Sequence, residues 1–98
     1  MLQEILAQNP NDAFARYGLA MEYANNGDSD TALSEFARLI QANPDYTPAY
    51  QMSAQTLAKA GRVEEALERL HSGIAAANRT GNQHALAEME ALREDLSR

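Results

Sequence analysis

Displaced by 34 positions, the chain falls back onto its own pattern, and this constrains its fold more than any other feature. At that offset Asn9 and Pro10 return as Asn43 and Pro44, Gly27 as Gly61, Leu33 as Leu67 and Ile40 as Ile74. Five alanine pairs agree as well: Ala15 with Ala49, Ala20 with Ala54, Ala24 with Ala58, Ala32 with Ala66, and Ala42 with Ala76. Alanine is abundant here, so the other pairs carry the weight. A repeat of this length is one supersecondary unit whose apolar face is buried only by stacking on its neighbours.

Within each unit the apolar residues recur at the three-to-four spacing of an α-helix. Arg16, Leu19, Ala20 and Tyr23 share one helical face, and Ala32, Leu33, Phe36, Leu39 and Ile40 share another. These faces should meet. Small Ala20, Ala32, Ala54 and Ala66 would let the axes approach closely while Tyr23, Phe36 and Leu70 fill the gaps. Six helices are expected, over 2–8, 12–25, 29–42, 48–60, 63–78 and 82–97. Asp12 or Asn11 can open the second, and Thr47 can cap the fourth with Pro48 in its first turn. Thr80 and Gln83 have capping-box spacing ahead of the sixth, while Gly27, Gly61 and Gly81 supply left-handed stops. Plentiful alanine and leucine with few β-branched or aromatic residues make the class all-α.

A 34-residue unit of two helices resembles the tetratricopeptide repeat, with its pattern W-x2-L-G-x2-Y, then A-x3-F, then P. The first unit reads Arg16, Leu19, Ala20, Tyr23, Ala32, Phe36 and Pro44, with Gly27 and Asp28 in the turn. The second reads Tyr50, Ser53, Ala54, Leu57, Ala66 and Leu70, with Gly61 in the turn and Asn78 in the place of proline. Ahead of them, Leu2, Ile5, Leu6, Asn9 and Pro10 repeat the pattern of Phe36, Leu39, Ile40, Asn43 and Pro44, as the end of a missing repeat would. Behind them, His84, Ala87, Glu88 and Ala91 stand at the signature places of a third unit, and that segment reads as a capping helix. The resemblance implies a single domain of antiparallel helical hairpins stacked as a short right-handed α-solenoid. Its parts are a partial repeat over 1–12, full repeats over 13–46 and 47–80, and a cap over 81–98.

Catalysis and several ligand classes find little support. Eight basic side chains face fourteen acidic ones, a net charge of −6, and Lys59 is the only lysine. No basic stripe could neutralise a run of phosphates, so neither nucleic acid nor an anionic membrane is an expected partner. The chain has no cysteine, hence no disulfide framework and no thiolate. Its N-terminal stretch lacks the basic start and apolar core of a signal peptide, no apolar run approaches the ~20 residues that span a bilayer, and a cytoplasmic location is the default expectation. His71 and His84 lie on different expected helices, and Ser53 and Ser72 lack a recognisable base. Glu64, Glu65 and Glu68 read as a solvated face favouring a helix N-terminus. No metal site, cofactor or enzymatic activity is expected.

Binding is where the pattern says more. In the resembled family the first helix of each pair lines a concave surface that holds a peptide. Phe14, Tyr17 and Met21 form an apolar stripe away from the signature face of the second helix. Pro48, Gln51, Met52 and Gln55, with Lys59 toward the end, continue it on the fourth, and Ala85 and Met89 on the sixth. Phe14 and Tyr17 have a second reading, as core packed beneath Leu2, Ile5 and Leu6. One family subgroup grips a C-terminal carboxylate with lysine, asparagine and arginine. Those places hold Tyr17, Met21, Met52, Asn82 and Leu86 here, so that ligand is not implied, and a neutral to hydrophobic peptide or protein segment fits better. The alternative function is structural, a self-associating unit or a piece of a longer solenoid, because Leu2, Ile5 and Leu6 have lost the helix that would cover them.

Overall fold

The computed structural model describes residues 1–98 and contains six helices: α1 (Leu2–Gln8), α2 (Ala13–Asn25), α3 (Ser29–Ala42), α4 (Thr47–Lys59), α5 (Val63–Thr80) and α6 (Gln83–Leu96). There is no strand. Each helix packs chiefly on its neighbours in sequence, α2 on α3 and α4 on α5 most extensively. That is the near-one-dimensional contact pattern of stacked repeats.

Helix starts follow from side-chain oxygens that accept otherwise unpaired first-turn N–H groups. Asp12 accepts from the Ala15 N–H at 2.9 Å, and Asp28 does the same for Thr31 at 3.2 Å. Two expected caps are corrected. Thr47 lies inside α4, which starts after Tyr46, and its buried hydroxyl instead accepts a 3.1 Å hydrogen bond from the Asn82 side chain. Thr80 belongs to the last turn of α5, where its hydroxyl donates to the Ala76 carbonyl at 2.9 Å. Asn82 caps α6 by accepting from the Ala85 N–H at 3.1 Å. The helix runs on because Asn78, unlike proline, permits continuation, and it stops only at Gly81, whose φ is +70°.

The core forms three clusters along the stack. Leu6, Ala15 and Leu19 join α1 to α2, and Ala20, Ala32, Phe36, Leu39 and Ala49 join α2, α3 and α4. A larger cluster around Ala54, Leu57, Ala66, Leu70 and Met89 joins α4, α5 and α6. All four signature alanines are fully buried, as an interhelical seam of small residues requires. One bond is made twice by different chemistry. The Tyr50 hydroxyl donates to the Pro44 carbonyl at 2.6 Å, and 34 positions earlier the Arg16 guanidinium donates to the Pro10 carbonyl at 3.1 Å while pairing with Glu35. A buried ion pair thus does in the first repeat what an aromatic does in the second.

Gly73 sets the spacing at the C-terminal end. A Cβ there would stand 2.6 Å from both the Met89 sulfur and the Tyr50 Cβ, so α4, α5 and α6 meet where α5 has no side chain.

Candidate binding groove

The stack bends toward one side. Residues of α2 approach α4, and residues of α4 approach α6, whereas α1, α3 and α5 make no such contacts with one another. Helices that draw together lie inside a bend, so α2, α4 and α6 line its concave face.

Of the groove residues expected from the sequence, Tyr17, Met21, Gln51, Met52 and Gln55 are half-buried on α2 and α4, and Lys59 is exposed at the end of α4. Met21, Met52, Gln55 and Lys59 border a dimple of about 60 Å³ between the two helices. Ligand pockets usually hold ~300–1,000 Å³, so this one suits a single side chain of a larger partner. The Tyr17 ring packs edge-on against Phe36, centroids 6.2 Å apart, and tilts against Tyr46 at 5.6 Å. Partial burial, then the neighbouring Tyr46, pushes the Tyr17 phenol above its ordinary pKa, and burial followed by the charge of Asp12 does the same to Tyr46. Tyr17 is therefore both core and surface, with one edge anchored and the other open.

Two sequence readings change. Phe14 does not pack beneath α1: it is 76% exposed, because α1 lies over Ala15 and Leu19 and places Leu2 on Gly18. Met89 is 0% exposed and lines no groove. The cause is the orientation of α6. Ala87, Glu88 and Ala91 are exposed, although their counterparts Ser53, Ala54 and Leu57 are buried, while Ala85 and Met89, counterparts of half-open Gln51 and Gln55, are buried. α6 is turned about its axis and buries its own apolar stripe of Ala85, Met89, Leu92 and Leu96 against α5 and α4.

That turn brings Glu88 and His84 toward the groove in place of Met89. The Gln51 amide donates to one Glu88 carboxylate oxygen at 3.2 Å, and the other lies 2.6 Å from His84 Nε2. The family register concealed both residues, as it concealed Tyr46. The three-to-four spacing of Ala85, Met89, Leu92 and Leu96 alone would have put His84 and Glu88 on the open side. No group of three His, Asp or Glu side chains converges as a metal site would, and what this face offers is apolar area edged by hydrogen-bonding amides and one carboxylate.

Paired antiparallel helices stacked in a bend, with α2, α4 and α6 on the concave face, define the helical-hairpin repeat class of α-solenoids. Within that class the chain belongs to the tetratricopeptide repeat family: a tetratricopeptide repeat model matches residues 23–89, more than half of the chain, and a second matches residues 1–34. The chain is similar to a TPR repeat-containing protein of Pseudomonas aeruginosa, with 27% identity over 97 residues, 99% of this chain and 92% of the relative. Among solved structures it resembles a tetratricopeptide repeat domain protein from Salinibacter ruber, with a TM-score of 0.84, 28% identity, and coverage of 90% of this chain and 89% of that one. It also shares the fold of the TPR2B domain in a yeast Sti1 complex with pHsp70, with a TM-score of 0.91, 21% identity, and coverage of 98% and 77%. Family and fold make the chain a protein-interaction module in general terms. No helix is long and apolar enough to cross a membrane.

Proposed function

We propose that this domain is a non-catalytic adaptor that binds a neutral to hydrophobic peptide or protein segment along its concave face. The observation that carries this reading is the half-open stripe of Tyr17, Met21 and Met52, held on packed helices with the Gln51 and Gln55 amides beside it. Aromatic anchors give contact area at low entropic cost, thioethers adapt to the partner's shape, and amides pair with an extended backbone. The appearance of the same fold in a complex with pHsp70 supports partner binding by such a scaffold. Carboxylate-tail capture has no support, since Tyr17, Met21, Met52 and Leu86 replace the basic and amide chemistry it needs.

Selecting a displayed random-peptide library on the domain and titrating the hits into isotope-labelled protein tests this reading. Shifts should centre on α2 and α4. Tyr17→Ala with Met21→Ala should weaken binding at least ~10-fold, the loss of about 1.4 kcal/mol, while Arg38→Ala on α3 leaves it unchanged. Hits that perturb only α3 and α5 would move the binding face to the outer helices.

A further inference from the structure

The two ends of the stack are finished differently. Ile5 occupies the repeat position of Leu39, which is 1% exposed beneath α2, yet Ile5 is 39% exposed. Leu2, at the position of Phe36, escapes this fate by folding onto α2, where its Cδ1 lies 3.0 Å from the place a Gly18 Cβ would take. The repeats hold Gly18, Met52 and Leu86 at one position. Met52 and Leu86 are partly buried against the clusters before them, and Gly18 leaves room for Leu2. What stays open is Met1 at the N-cap of α1, Ile5 one turn into that helix, and Phe14, one turn before Gly18 on α2. Helix spacing and the Leu2–Gly18 contact make these one apolar ridge.

At the other end, Glu88 stands at the repeat position where Ala20 and Ala54 are fully buried, and the turn of α6 aims it at Gln51 beside the groove.

We infer that the N-terminal ridge of Met1, Ile5 and Phe14 is a weak, two-fold interface with a second copy of this chain. Charge allows that occupant, because Glu4 is the one charged side chain of α1, flanked by neutral Gln3 and Gln8. Area points the same way. The three side chains expose on the order of 400 Å² of apolar surface, and two such ridges with their flanks bury roughly 1,000 Å², below the ~1,200–2,000 Å² of stable complexes. The dimer is therefore concentration-dependent. An isologous contact closes at two chains. The interface is independent of the groove apart from Phe14, which stands at the junction of the two.

Sedimentation equilibrium over ~10 μM to 1 mM, the range in which so small an interface associates, reads this directly. The wild-type mass should climb from monomer toward dimer and level there. Phe14→Lys, on an exposed side chain, should keep its circular dichroism and melting profile and associate at least ~10-fold more weakly. Ile5→Lys is the second variant, and Ala87→Lys on α6 should associate like wild type. A strictly monomeric wild type overturns the inference and leaves the ridge to a helix of another protein. It is equally overturned by a climb that survives both ridge variants, that Ala87→Lys abolishes, or that passes beyond dimer. Tyr17→Ala with Met21→Ala should dimerise normally, which separates failure here from failure of the groove reading.

Discussion

Replacing Gly73 by alanine tests the tightest packing at any glycine of the chain. In a helix interior alanine is favoured over glycine by ~1 kcal/mol, so propensity alone predicts a stabilised protein. The structure predicts the reverse. The new Cβ would lie 2.6 Å from the Tyr50 Cβ and the Met89 sulfur, about 1 Å inside the ~3.5–4.0 Å of a relaxed contact. The Tyr50 Cβ is bonded to the α4 backbone and cannot swing aside, and Met89 is fully enclosed. Overpacking of this kind costs ~1–3 kcal/mol, and a clash this deep against an atom that cannot move belongs to the upper half of that range, which after the propensity gain leaves a net loss of about 1–2 kcal/mol. For a domain of this size that lowers Tm by roughly 5–15 °C. Calorimetry should show this drop, and Ser72→Ala, exposed one residue earlier, should show a slight rise from propensity alone. A Gly73→Ala protein melting at or above wild type would refute the account of how α4, α5 and α6 meet.

Arg16→Ala should destabilise the domain by about 1–2 kcal/mol in urea unfolding, because the largely buried Glu35 is left with only the more distant, exposed Arg38 and the Pro10 carbonyl loses its donor. Arg16→Tyr should recover part of the loss by bonding Pro10 as Tyr50 bonds Pro44, and a neutral Arg16→Ala would show the pair to be incidental. Ser53→Ala should raise the unfolding free energy measured in urea by ~0.5–1.5 kcal/mol, since the Ser53 hydroxyl is fully buried without a partner; a loss of stability would reveal a bond the hydroxyl makes. In alkali, burial holds the Tyr17 and Tyr46 phenols above their ordinary pKa of 10.0. The folded state then keeps their protons longer than the unfolded chain, so this contribution to stability is complete below about pH 10 and is lost as pH rises through the folded values. Phenolate absorbance should show both ionising late, with unfolding easier as pH increases. Ionisation of both at or below pH 10 would contradict their packing.

The repeat made the fold readable. Its period placed the hairpins, the alanines at its signature positions marked the seams, and the glycines marked the turns, because every unit meets the same neighbours in the same way. Reading failed where neighbours change. Of the two readings of Phe14, groove stripe or core beneath α1, the core reading fails, and Met89 loses its place in the groove. At the start of the stack α1 lies over Ala15 and Leu19, which leaves Phe14 open, and at its end α6 turns to bury Met89 and swings Glu88 toward the groove. Amino-acid order alone determined the number of helices, their pairing and the stripe of Tyr17, Met21, Gln51 and Gln55, since local period and spacing encode those. Tertiary structure alone decided the rotation of α6, the contact at Gly73 and the unlike finish of the two ends, because each depends on which surfaces lack a partner, a property of the assembled stack and of no single repeat.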